Sequence, residues 1–257
     1  DTYLFSYEED GDSILSNTLN TYMDEEISCN NRRTLKSCFP TGSRDYIKAQ
    51  RSDYFTSTKD KFFRELIETR RLNIHYSSYN SDTLIEAIRY LHKHAKPGAI
   101  FIDYIQLLNL PEGKYKTYSR QEEIKEICIA LKDVAVETGL PIILGAQFNR
   151  EVVNQLRIHA TKIGEAGDIE RVVHTLIGLW NMDKKPVLTK TTEAEANEIS
   201  MRISNRRLKE EGAKTMYLEI LKSRDLPTGS YDFLEFNGNT GKVKNREVDS
   251  SGSSFFK

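Results

Sequence analysis

Two spacings of apolar residues alternate along this chain, one suited to strands and the other to helices. Residues 2–6 form a short apolar run that predicts a strand. Residues 11–25 place Ile14, Leu15, Thr18, Leu19 and Tyr22 on one helical face. Residues 28–58 are polar and read as partly helical. A helix is expected over 59–70 and a strand over 72–76. Ser81 and Asp82 are placed to cap a helix bearing Leu84, Ile85, Ile88, Leu91 and Ala95, which Pro97-Gly98 ends. A strand over 99–103 follows, then a polar loop over 111–118. Ser119-Arg120-Gln121-Glu122 is a capping-box pattern. It opens a helix with Ile124, Ile127, Cys128, Leu131, Val134 and Ala135 on one stripe, closed by Gly139. Pro141 starts another strand, expected to be buried, over 142–147. From about residue 172 the character turns to β, with strands expected over 172–180, 198–204, 216–221 and 231–236. Strands alternating with helices argue an α/β fold: a mostly parallel sheet flanked by helices, followed by a β-rich C-terminal part.

Composition narrows the class. With 257 residues, 38% hydrophobic and 29% charged, the chain can bury a core and keep a polar surface. The formal net charge of -1 shows no basic excess, so any nucleic-acid contact must come from local patches. Cys29, Cys38 and Cys128 fit neither a disulfide framework nor zinc-ligand spacing, which suits a reducing, cytoplasmic setting. No apolar run approaches the ~18 residues of a membrane span. The five histidines lie apart, and His92 and His94 diverge on their helix. The chain starts at Asp1 without a methionine, and we expect it to be a fragment.

The sharpest candidate chemistry lies at Gly98-Ala99-Ile100-Phe101-Ile102-Asp103, where apolar residues run straight into one acid. The pattern reads as a buried parallel strand that delivers a carboxylate to its C-terminal end, where ligands sit in open α/β sheets. An acid there commonly holds Mg²⁺ on a bound nucleotide. The alternative is an ordinary buried strand capped by a turn-forming Asp.

Taken in order, the segments resemble the C-terminal RecA-like motor domain of DnaB-type replicative helicases, over roughly residues 3–243. Leu4-Phe5-Ser6-Tyr7-Glu8 is similar to that family's strand ending in a catalytic glutamate. Phe101-Ile102-Asp103-Tyr104-Ile105-Gln106-Leu107 is similar to its Walker B strand, and residues 119–131 to the helix after it. Gly145-Ala146-Gln147-Phe148-Asn149-Arg150 is similar to its sensor strand. Glu165-Ala166-Gly167-Asp168-Ile169-Glu170 resembles a DNA-binding loop region, and Lys222-Ser223-Arg224-Asp225-Leu226-Pro227-Thr228-Gly229 an arginine-finger hairpin.

The resemblance implies an ATP-dependent motor that moves on single-stranded DNA and unwinds duplex, with ATP and Mg²⁺ as cofactors. Glu8 would accept the attacking water's proton, with Glu9 and Asp10 as neighbouring acids. Asp103 would hold Mg²⁺ through its water shell, and Gln147 would sense the γ-phosphate with its amide. Arg224 and Lys222, two apart on an expected strand and so on one face, would reach a neighbouring subunit's nucleotide. That requires a homo-oligomer, a hexamer in this family. DNA contacts would come from Lys162, Glu165, Gly167 and Arg171, and from Lys114 and Lys116 in the earlier loop. Gly164 stands where the family often carries an arginine, and Ala166 replaces its serine. Primase and a helicase loader are the implied protein partners.

The 257 residues contain no P-loop; Gly212-Ala213-Lys214-Thr215 lacks the glycine before the lysine and precedes an expected strand. The expected organisation is a partial motor domain over 1–244 and a disordered tail over 245–257, with no ATP hydrolysis by this stretch alone. Two rival readings stand beside it: another RecA-like ATPase, such as a recombinase or clock-type ATPase, or a non-catalytic nucleic-acid-binding module. Residues 183–197 form a charged connection to which no function is assigned.

Overall fold

The structure, a computed structural model, describes residues 1–22, 53–76, 78–113, 118–147, 169–181, 214–237 and 241–245. The chain divides into two compact units, one built on residues 1–146 and one on residues 147–238 with 242–257.

The first unit carries a four-stranded parallel sheet. Its strands are β1 (Thr2–Ser6), β2 (Leu72–Tyr76), β3 (Ala99–Asp103) and β4 (Ile142–Leu144), in the order β2-β1-β3-β4. β4 is shorter and less buried than the sequence suggested: it ends at Leu144, where the Gly145 backbone turns to bond Ile102 and Ile105, not at Gln147. The registers pair Ser6 with Tyr76 and with Asp103, so the carboxyl ends of the three strands lie level. One face of the sheet is closed by Tyr3, Phe5, Ile100 and Ile102, all buried. The other is more open: Phe101 is 37% and Ile143 41% exposed. The apolar run 99–102 was expected to be buried on both faces. It instead alternates, Ile100 and Ile102 inward and Phe101 outward, as the pleat requires where only one face is covered.

The helices start and stop where local chemistry dictates. α1 (Gly11–Tyr22) is capped by Asp10, whose carboxylate accepts the Ser13 N–H at 2.8 Å and the Ser13 hydroxyl at 2.8 Å. α2 (Asp53–Phe62) runs into a π-helical stretch, Phe63–Glu68, and Phe62 packs with Leu19 of α1 in a small apolar cluster. α3 (Ser81–His94) is capped by Asn80, not by Ser81 or Asp82 as the sequence suggested. Asn80 has the extended backbone of a cap and accepts the Thr83 N–H at 3.0 Å, while Ser81 is already helical and buried. α4 (Arg120–Thr138) carries both halves of the capping box and ends at Gly139, whose φ of 69° is the left-handed conformation glycine accepts. Its expected stripe is the buried one: Ile124, Ile127, Cys128, Leu131 and Val134.

In the second unit, a short helix α5 (Ile169–Val172) leads into an antiparallel sheet of β5 (Thr175–Asn181), β6 (Lys214–Ser223), β7 (Tyr231–Asn237) and β8 (Lys242–Asn245), in that order. The β-rich C-terminal part is thus present. The sequence reading extended the first of these strands back to 172, where the structure has the helix, and did not foresee β8. The strand expected over 198–204 and the connection 183–197 lie outside the described residues.

Candidate active site at the carboxyl edge of the parallel sheet

The acids after β1 have distinct placements. Ser6, fully buried, bonds its hydroxyl to the Glu9 carbonyl at 2.8 Å and accepts the Glu9 N–H at 3.2 Å, which ties the turn to the strand end. Asp10 caps α1. Glu9 is half-buried and accepts a hydrogen bond from the Asn17 side-chain amide at 3.1 Å. Glu8 is exposed.

Asp103 is the last residue of β3 and stands level with Ser6. Its backbone carbonyl accepts the Tyr7 N–H at 2.9 Å, which joins the two strand ends. The Gly145 N–H donates to the Ile102 carbonyl at 2.8 Å, and the Ile105 N–H donates to the Gly145 carbonyl at 2.9 Å, so one residue brackets Asp103 from both sides. A Cβ at Gly145 would lie 3.3 Å from the Asp103 Oδ1. Desolvation raises the Asp103 pKa above the ordinary aspartate value, and the negative charge of Glu9 adds to the rise. A carboxyl group at a strand end, partly desolvated and repelled by a second acid, suits a bound cation, which would relieve both effects.

The match with known proteins follows this geometry. Residues 48–245 fit the family model described as the DnaB-like helicase C terminal domain, more than half of the 257 residues. The chain belongs to that family. Among curated relatives, a probable plasmid replicative DNA helicase of Chlamydia trachomatis is 36% identical over 111 residues, covering 41% of this chain and 23% of that protein. The replicative DNA helicase DnaB of Helicobacter pylori strain 26695 is 32% identical over 168 residues, covering 60% of this chain and 32% of that protein. The chain thus matches about a quarter to a third of the length of these relatives. Among solved structures, a DnaB-like replicative helicase, described with its interactions with primase, aligns with a TM-score of 0.67 at 20% identity, over 96% of this chain and 50% of that one. An ATPase domain aligns at 0.66, also at 20% identity, over 96% of this chain and 74% of that one. Both likenesses show the fold: a parallel sheet with flanking helices plus an antiparallel sheet, as in RecA-like DnaB helicase domains.

On this DnaB-type frame the expected site residues fall in both units. Glu8 and Asp103 belong to the first unit, at or just after neighbouring strand ends. Gln147 follows β4, is exposed, and is counted in the second unit. Lys222 lies at the end of β6 and Arg224 beyond it, so the two do not share a strand face as their spacing suggested. Lys222 turns its ammonium to the carbonyls of Glu170 and of Arg171, the latter at 3.3 Å, and so caps α5. Arg224 stands in the turn just past the strand, exposed, with no hydrogen bond or ion pair among the described residues. Arg171 is exposed on α5. Lys114, Lys116, Lys162, Glu165 and Gly167 lie outside the described residues.

Sequence reading treated Ser119-Arg120-Gln121-Glu122 only as a helix start. The structure gives Arg120 and Glu123 a second task, holding the segment that leaves Asp103. An arginine in the first turn of a helix, where acids are usual, was the available signal. Among the described residues no group of histidine, cysteine and acidic side chains forms a metal cluster, and no helix is long and apolar enough to cross a membrane.

Proposed function

We propose that this chain is the motor domain of an ATP-dependent replicative DNA helicase, which moves along single-stranded DNA and opens duplex. The observation that carries the reading is the meeting of the β1 and β3 carboxyl ends, Ser6 level with Asp103 and the acids Glu8 and Glu9 just beyond, in a chain of the DnaB-like family. Magnesium-bound ATP supplies the phosphoryl group to be transferred to water. Asp103 holds the cation through water, and the repulsion it now feels from Glu9 supports that role. Glu8, exposed in the turn after β1, takes a proton from water on its carboxylate. Gln147 senses the terminal phosphate with its amide, which both donates and accepts.

Arg224 serves a neighbouring copy in a hexamer; its exposure and its lack of partners among the described residues support this. Lys222 reaches outward only by releasing the carbonyls of Glu170 and Arg171. DNA phosphates contact Lys114, Lys116, Lys162 and Arg171 and the backbone around Glu165 and Gly167. Primase is a proposed partner, supported by the solved relative described with its interactions with primase. A helicase loader and a cytoplasmic setting complete the proposal.

The test is ATP turnover by the full-length gene product, with Mg²⁺, in the absence and presence of single-stranded DNA. Turnover that rises with DNA supports the reading. Absence of turnover under both conditions contradicts it and favours a non-catalytic nucleic-acid-binding module.

A further inference from the structure

The segment from Tyr104 to Leu110 connects the Asp103 strand end to the polar loop that begins at Pro111. Its first half is fixed by burial and turn formation. Ile105 and Leu108 are fully buried, and the 3-10 turn Ile105–Leu107 closes with Leu107 N–H to the Tyr104 carbonyl at 3.1 Å and Leu108 N–H to the Ile105 carbonyl at 3.0 Å. Its second half has no such apolar anchor beyond Leu108. It is held by polar groups from two helix starts. The Arg120 guanidinium donates through Nη2 to the carbonyls of Gln106 at 2.9 Å and Leu108 at 2.8 Å, and through Nη1 to the Asn109 side chain at 3.4 Å. Glu123, one turn further along α4, pairs with Arg120 and accepts the Leu110 N–H at 2.8 Å. The Asn109 carbonyl accepts the Ser81 N–H at the start of α3, at 2.9 Å.

Nη2 holds both carbonyls while Nη1 is turned to the Asn109 side chain and to Glu123, and a planar group that fixes two nitrogens relative to each other does what a single ammonium cannot: it sets the direction of the segment as well as its distance. Glu123 holds the fork in place and fastens the next residue. We propose that Arg120, oriented by Glu123, is a positioning residue that makes the segment from Tyr104 to Leu110 a stiff link between the Asp103 carboxylate and the loop after Leu110. This rests on the proposed reading of Asp103 as the cation-holding acid and of that loop as a DNA contact. A displacement at Leu110 reaches Asp103 only if the intervening backbone does not absorb it. Coupling of that kind travels through rigid, well-packed elements with few alternative arrangements.

The experiment compares the wild-type full-length gene product with Arg120→Gln and Arg120→Lys. The readout is the ratio of ATP turnover with single-stranded DNA to turnover without it. A merely structural role lowers both rates together and leaves the ratio unchanged. The positioning role lowers the ratio by about threefold or more in Arg120→Gln, with only partial recovery in Arg120→Lys, which keeps the charge but not the fork. Hydrogen exchange reads the clasp independently of catalysis. The Leu110 and Ser81 amides should exchange faster in Arg120→Gln, while those in the middle of α4 should not. An unchanged ratio, or full recovery with lysine, overturns the proposal while leaving the helicase reading in place. Wild-type protein without DNA-stimulated turnover overturns the helicase reading and this proposal with it. Unchanged exchange at Leu110 overturns the proposal alone.

Discussion

Replacing Asp103 by Asn should move stability and activity in opposite directions. In the folded protein the Asp103 carboxyl is partly desolvated and repelled by Glu9, and both effects raise its pKa above the ordinary aspartate value. A raised folded-state pKa means that the fold favours the protonated form. This group therefore contributes full stability below the ordinary carboxylate range and loses it as pH rises through the raised value. Asn has nearly the same shape and no proton to lose, so the gap between variant and wild type opens as pH rises from the ordinary carboxylate range through the raised pKa, is complete above it, and closes in acid. Asp103 keeps contact with solvent, which screens the repulsion. The gain at neutral pH is then held to about 0.2–1 kcal/mol, or roughly 1–3 °C of melting temperature for a unit of this size. Turnover should fall by at least about 100-fold, because the cation loses its charged holder. Thermal unfolding from pH 3 to 8, with ATP turnover measured beside it, tests both halves. A variant that melts lower at pH 7, or a gap that does not change with pH, refutes the electrostatic account. Retained turnover refutes the role of the carboxylate.

Three further outcomes follow from the geometry. Arg224→Ala removes an exposed side chain without partners among the described residues, so stability should stay within about 0.5 kcal/mol while turnover of the assembly falls about 10³-fold; Lys222→Ala, which uncaps α5, should instead lower stability by about 1 kcal/mol, and equal melting of the two variants would contradict the distinction. Ser119→Ala breaks the capping box and should lower stability by about 1 kcal/mol in denaturant titrations with an unchanged slope, whereas Gln121→Ala, outside the box, should not. Cys128 is buried in the stripe of α4 and its thiol is pushed up to about 12 by desolvation; a thiol reagent at pH 8, with labelling read at Cys128 by peptide mass, should modify it only at the rate of unfolding, and rapid labelling of Cys128 in native protein would show that the stripe is open.

Much of the first unit was legible because its signals are local. The stripe from Ile124 to Val134, the Ser119 box and the Gly139 stop are written within one helix, and all are present. The parallel strands were legible as apolar runs between helices, and Asp103 as the acid at the end of one. The reading went astray where a neighbour decides. Asn80 rather than Ser81 caps α3 because the turn before the helix leaves Asn80 extended, a fact of the chain path and not of composition. Phe101 is exposed because one face of the described sheet is more open, which no run of apolar letters reveals. β8 is a short Lys-Val-Lys strand whose pairing with β7 comes from the partner rather than from its own propensity. Among the acids after β1 the sequence favoured Glu8 only through its place in the resemblance; side-chain bonds to Ser13 and to Asn17 separate Asp10 and Glu9 from Glu8. The clasp of Arg120 needed the fold, since its acceptors are backbone carbonyls, which carry no sequence signature at all.

Strand displacement tests the central claim most directly. The full-length gene product, given Mg²⁺ and ATP, should separate a forked DNA duplex that carries single-stranded arms, and Asp103→Asn should leave the fork intact while remaining folded. No displacement by the wild-type protein, or displacement that survives in Asp103→Asn, would contradict the account.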